Sequence, residues 1–110
     1  MRTSPRPSPA PDGAPRLSIV VPFFNEEGNA HSLLDEIRAQ FPASEILAVD
    51  DGSTDETTDI LSRRTDILVL RHASNRGQSA ALHTGFAAGA GDLIALMDGD
   101  GQNDPRDLHK

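Results

Sequence analysis

An α/β fold, a parallel sheet with alternating helices, is predicted by three features of this 110-residue sequence. Short apolar runs alternate with segments of helical hydrophobic spacing. The runs are nearly continuous in apolar residues, as strands covered on both faces are. A polar cluster follows each run, and in parallel sheets ligands bind beyond the carboxyl ends of the strands.

Residues 1–16 are expected to form a disordered Pro-rich tail. Five of the eight prolines stand at 5, 7, 9, 11 and 15, and such a segment builds neither helix, ladder nor core. The ordered part, 17–110, opens with Leu17 to Val21, a β-rich run expected to stop at Pro22 and the polar Asn25, Glu26 and Glu27. Leu33, Leu34, Ile37 and Phe41 then recur at helical spacing until Pro42, predicting an amphipathic helix. Ile46 to Val49 is the second strand, cut off by Asp50-Asp51-Gly52. Ser53 and Glu56 form a capping-box pattern for a helix through Ile60 and Leu61.

Ile67 to Leu70 is the third strand and His72 to Gln78 a polar loop. Ser79 to Ala90 reads as a small-residue helix carrying Leu82 and Phe86. Gly85, Gly89 and Gly91 lie inside and after that helix, so close packing accounts for them better than a phosphate loop. Leu93 to Met97 is the fourth strand. Asp104-Pro105 has the form of an N-cap with proline at the first helical position, so a fourth helix begins there.

Composition narrows the chemistry. A formal charge of -7, from 17 acidic and 10 basic residues, disfavours nucleic acid as a partner and suits a cation at clustered acids. The absence of cysteine excludes thiol chemistry. No apolar stretch approaches the roughly 18 residues that span a bilayer.

Within this frame Asp98-Gly99-Asp100-Gly101-Gln102 is the sharpest candidate site. In an extended segment alternate side chains share a face, so Asp98, Asp100 and Gln102 can present oxygens together. An all-oxygen set suits a hard divalent cation, Mg²⁺ or Mn²⁺. Asp50 and Asp51 fall on the same sheet edge, where several acids repel unless a cation or hydrogen-bond donors compensate. Arg76 reads two ways, as an exposed loop charge or as a contact to phosphate or neighbouring acids. His31, His72, His83 and His109 lack metal-ligand spacing and are assigned packing or solvent-facing roles. A dinucleotide fingerprint would need Gly-x-Gly-x-x-Gly where Pro22-Phe23-Phe24-Asn25-Glu26-Glu27 stands, and no P-loop Gly-Lys-Ser/Thr occurs.

In order and spacing, SIVVPFFNEE, EILAVDDGSTDET, NRGQSAALHTGFAAGAGD and ALMDGDGQNDP resemble the N-terminal half of family 2 glycosyltransferases, particularly polyprenyl-phosphate sugar transferases of the dolichyl-phosphate mannose synthase type. The resemblance implies the nucleotide-binding half of a GT-A (Rossmann-like) fold, with Mg²⁺ or Mn²⁺, a UDP- or GDP-linked sugar donor and a polyprenyl phosphate acceptor. It further implies an inverting transferase at the cytoplasmic face of the membrane in the full-length protein. Carried over by position, Pro22, Phe24 and Glu26 line the nucleotide pocket, with Phe24 standing where tyrosine is common. Val49, Asp50 and Asp51 hold the base and ribose region. Asp98, Gly99 and Asp100 face the nucleotide-sugar, with Asp98 and Asp100 as catalytic residues and Asp100 with Gln102 as metal ligands. Glycine stands at 99 and 101 where family members often carry Ala and Leu.

Such transferases are roughly twice this length, so the chain is expected to be a donor-binding half truncated inside its fourth helix. The alternatives are a non-catalytic nucleotide- and metal-binding fragment, or a family 2 transferase acting on a saccharide hydroxyl in cell-envelope polysaccharide synthesis.

Overall fold

The computed structural model describes residues 16–89, 91 and 93–96. Strands β1 (Leu17–Phe23), β2 (Glu45–Asp50), β3 (Leu68–Arg71) and β4 (Leu93–Leu96) alternate with helices α1 (Ala30–Gln40), α2 (Thr57–Ser62) and α3 (Gln78–Ala88). The strands form one sheet in the order β3-β2-β1-β4, and every pairing is parallel. Residues 1–15 of the expected Pro-rich tail, Met97 and the helix start at Asp104 lie outside the described residues.

Alternation along the strands divides the core between two faces. Ile19, Val21 and Phe23 of β1 and Ile46 and Ala48 of β2 pack with Leu33, Leu34 and Ile37 of α1 and Leu61 of α2. The intervening Val20, Leu47 and Val49 meet Ala81 and Leu82 of α3 on the opposite face. Burying each of the larger aliphatic side chains stabilises the fold by roughly 1.5–3 kcal/mol. On the α3 face the helix comes very close to β1. A Cβ on Gly85 would lie 2.2 Å from Val20 Cγ1, so the helix needs glycine there.

Chain direction explains the layering. The path steps β1 to β2 to β3 through α1 and α2, then returns through α3 to place β4 beyond β1. Right-handed crossovers running in opposite directions put their helices on opposite faces. Strand order therefore reverses between β1 and β4, the position at which open parallel sheets form a ligand crevice.

Three sequence expectations need correction. Pro22 does not stop β1, which continues to Phe23 with Pro22 opposite Val49. The Phe23 carbonyl accepts the Asp51 N–H at 2.8 Å, so Phe23 faces β2. Pro22 turns its missing donor the other way, past Val20 and Leu96, the last described pair with β4. Proline therefore removes no ladder bond toward β2.

The capping box at Ser53 and Glu56 does not form. Helix α2 begins at Thr57, with no side-chain bond at its N-cap Glu56. The Ser53 hydroxyl instead accepts the Asn25 N–H at 3.0 Å, a contact from another loop. The third strand is shifted by one residue, to Leu68–Arg71, where Arg71 pairs with Asp50.

Candidate functional site

Three loops converge at the carboxyl ends of β1, β2 and β3, and backbone amides held by side chains set their shapes. After β1, Asn25 takes a left-handed conformation, φ 52°, which asparagine tolerates better than most residues. Its Oδ1 accepts the Thr54 N–H at 2.8 Å. The Glu26 N–H donates to Thr57 Oγ1 at 2.8 Å, and the Glu27 N–H to Asp55 Oδ2 at 3.3 Å. The loop after β1 is thus clasped along the loop after β2.

Asp50 is fully buried at the end of β2. Its Oδ1 accepts the Ser53 N–H at 3.0 Å and its Oδ2 the Thr58 hydroxyl, while Arg71 Nε stands 3.8 Å away. These bonds hold the turn between β2 and α2. At Gly52 the backbone has φ +77°, and a Cβ would lie 2.4 Å from the Ser74 carbonyl carbon. The β2 loop therefore rests directly on the backbone of the β3 loop.

Asp51 joins those same two loops by hydrogen bonds. Its Oδ1 receives the Arg76 N–H at 2.9 Å and stands 2.7 Å from His72 Nδ1; its Oδ2 receives the Gly77 N–H at 2.9 Å. Burial pushes the Asp51 carboxyl up, but the Arg76 amide, the His72 ring and the Gly77 amide together hold it below the ordinary aspartate value. The acids at this edge were expected to need a cation or donors. At Asp50 and Asp51 the compensation comes from donors.

Of the residues expected to line a nucleotide pocket, Pro22 and Val49 are buried in the sheet, Val49 packing in the core on the α3 side. Phe24 is 44% exposed. Glu26 is half-buried and accepts the Asn29 side-chain amide at 3.0 Å, beside the start of α1. Arg76 is exposed, with its backbone held by Asp51. Asp98, Gly99, Asp100 and Gln102 lie outside the described residues. Among the described residues no group of three or more His, Cys, Asp or Glu could hold a metal ion.

His72, expected from the sequence to pack or face solvent, is instead part of this hydrogen-bonded edge. It is 6% exposed and bridges Asp51 to Thr84 Oγ1, the latter contact at 2.8 Å. The available signal was its place immediately after a strand, beside the carboxyl end of the neighbouring parallel strand. Its partner Asp51 lies 21 residues away, too far along the chain for any local spacing pattern to link them.

Comparison with known proteins gives consistent matches. Residues 18–110 match the family described as Glycosyl transferase family 2. A dodecaprenyl-phosphate galacturonate synthase of Rhizobium johnstonii is 43% identical over 103 residues, covering 84% of this chain and 30% of that protein. An undecaprenyl-phosphate 4-deoxy-4-formamido-L-arabinose transferase of Yersinia pestis is 35% identical over 102 residues, covering 84% of this chain and 31% of its own length. Among solved structures, a mannosyltransferase of Pyrobaculum calidifontis in complex with GDP-Man and Mn²⁺ aligns with TM-score 0.72 at 26% identity, covering 86% of this chain and 30% of that one. The chain thus spans about a third of the length of the relatives it matches.

Proposed function

The chain belongs to glycosyl transferase family 2, and from that membership we propose that it forms the donor-binding part of an enzyme that transfers a sugar from a UDP- or GDP-linked donor to a polyprenyl phosphate, with inversion. The observation that carries this reading is the convergence of the Phe24, Asp51 and Arg76 loops on the sheet edge beside the β1–β4 reversal. The names of the relatives above supply the acceptor class.

In this reading Phe24 stacks on the base, while Glu26 and the 50–52 turn, underlain by Pro22 and Val49, frame the base and ribose. Asp98, Gly99 and Asp100 approach the diphosphate and sugar. The Asp98, Asp100 and Gln102 donor set is all oxygen and fits a hard divalent cation, with Asp100 and Gln102 as its ligands. Bound there, Mg²⁺ or Mn²⁺ would offset charge on the departing nucleoside diphosphate. A phosphate oxygen of the acceptor attacks the anomeric carbon opposite the leaving group, a C–O bond forms, and the bond to the diphosphate breaks with its electron pair. An ionised phosphate monoester is already a nucleophile and needs little general-base help. In this reading the edge works at the cytoplasmic face of the membrane in the full-length protein. Among the described residues no helix is long and apolar enough to cross a membrane.

Calorimetric titration with UDP- and GDP-sugars, with and without Mn²⁺, tests the donor site, and labelled-sugar transfer to undecaprenyl phosphate by a protein containing this chain tests the acceptor. The expected result is Mn²⁺-dependent nucleotide binding that Asp100→Ala abolishes while the melting temperature holds. Absence of such binding sinks the donor site. Binding without transfer to polyprenyl phosphate in a full-length protein sinks the acceptor assignment.

A further inference from the structure

We infer that His72 is a positioning residue for the donor site, fixing the Asp51 carboxylate and through it the loop that carries Arg76. The inference rests on the donor-site reading above and names a part of its machinery. An ionised carboxylate only accepts, so the 2.7 Å contact requires the proton on His72 Nδ1. Nε2 is then engaged by Thr84 Oγ1 at 2.8 Å, a hydroxyl that serves as donor or acceptor as the ring requires.

The remaining donors to Asp51 are the backbone N–H groups of Arg76 and Gly77, each at 2.9 Å. Arg76 lies in the loop being held and Gly77 is the N-cap residue at which that loop enters α3, so both donors are backbone groups of the segment whose position is at issue. His72 differs, because it follows β3 and is braced from behind by Thr84 on α3, a helix packed against β1 and β2. The His72 side chain therefore ties the orientation of Asp51 to the end of β3 and to the body of α3, beyond the loop backbone itself. With Asp51 and His72 at 3% and 6% exposure, water does not readily replace the ring as donor. Losing one such outer hydrogen-bond partner is expected to weaken binding at a site on the order of tenfold.

Two near-isosteric variants separate the links. His72→Asn puts an amide where Nδ1 stands and leaves Thr84 without a partner; His72→Gln reaches toward Thr84 and vacates the Nδ1 position. Amide hydrogen exchange, read residue by residue by NMR on the nucleotide-free chain, should stay slow at Arg76 and Gly77 in His72→Asn and accelerate there in His72→Gln. Amides of β1 and β2 should be unchanged in both. UDP or GDP affinity in the presence of Mn²⁺ should fall about tenfold in His72→Gln and within about twofold in His72→Asn. Equal exchange at Arg76 and Gly77 in the two variants overturns the inference, as does a shared loss of affinity. A wild-type chain that binds neither nucleotide overturns the donor-site reading instead, and the exchange pattern still decides whether His72 holds Asp51.

Discussion

Gly52 and Ser74 meet backbone to backbone: a Cβ at position 52 would fall 2.4 Å from the Ser74 carbonyl carbon, and φ at Gly52 is +77°. Two loops from neighbouring parallel strands are in direct contact at this point. A side chain at position 52 would push them apart and strain its own backbone.

Gly52→Ala is therefore expected to destabilise the fold by about 2–3 kcal/mol, combining a disfavoured φ with overpacking against backbone. For a domain of this size that is a fall in melting temperature of roughly 10 °C or more. Thermal unfolding followed by circular dichroism measures it. A change within about 2 °C would mean the loops separate freely.

Asn25 separates conformation from hydrogen bonding. Its φ of 52° favours glycine over alanine, while its Oδ1 holds the Thr54 N–H at 2.8 Å. Asn25→Gly removes the bond and keeps the backbone permissive; Asn25→Ala removes the bond and adds strain. Urea unfolding should show the alanine variant less stable than the glycine variant by about 1 kcal/mol. The reverse order would place the cost in glycine's unfolded-state entropy instead.

Acid stability should depend on Asp51. Its burial raises the carboxyl pKa, but the Arg76 and Gly77 amides and the His72 ring lower it further, leaving it depressed in the folded state. Asp66 is depressed in the same direction, its burial outweighed by the hydrogen bonds and charge of Arg64. A depressed aspartate contributes stability that is complete above its unfolded value, near pH 4, and is lost as pH falls through the folded value. The stability gap between wild type and Asp51→Asn should thus be widest above the unfolded carboxylate value, about pH 4, and narrow as the pH falls below it. Urea titrations across that range read it directly, and a pH-independent gap would remove the carboxylate charge from the account.

Phe24 tests the ligand side of the same edge. Because its ring is 44% exposed, Phe24→Ala should change stability by no more than about 0.5 kcal/mol. Loss of stacking should nevertheless weaken nucleotide binding by roughly fivefold, while Phe24→Tyr retains it. Calorimetry on the three proteins distinguishes these outcomes. Equal affinities would place the base elsewhere.

Much of the fold was legible in the sequence because periodicity and apolar runs are local signals. The spacing of Leu33, Leu34 and Ile37 places them on one helix face, and all three are buried there. The run from Ile46 to Val49 is buried on both faces, as continuous apolarity implied. Boundaries were less legible. Pro22 reads as a stop until the direction of its absent donor is known, and Ser53 reads as a cap until Asn25 takes its hydroxyl. The edge carrying Phe24, Asp50 and Asp51 could be placed from the order of elements, since parallel strands bring their carboxyl ends together.

The sequence by itself determined the α/β alternation, the sheet edge on which the polar clusters fall, and the family to which their order and spacing belong. Tertiary structure alone decided what Asp51 touches. Its partners His72, Arg76 and Gly77 lie 21, 25 and 26 residues along the chain, and a carboxylate carries no local signature of which donors will reach it. Only the pairing of β2 with β3, which sets Asp50 beside Arg71, brings the loop after one strand onto the loop after the other and turns an acidic pair into the hydrogen-bonded centre of the edge.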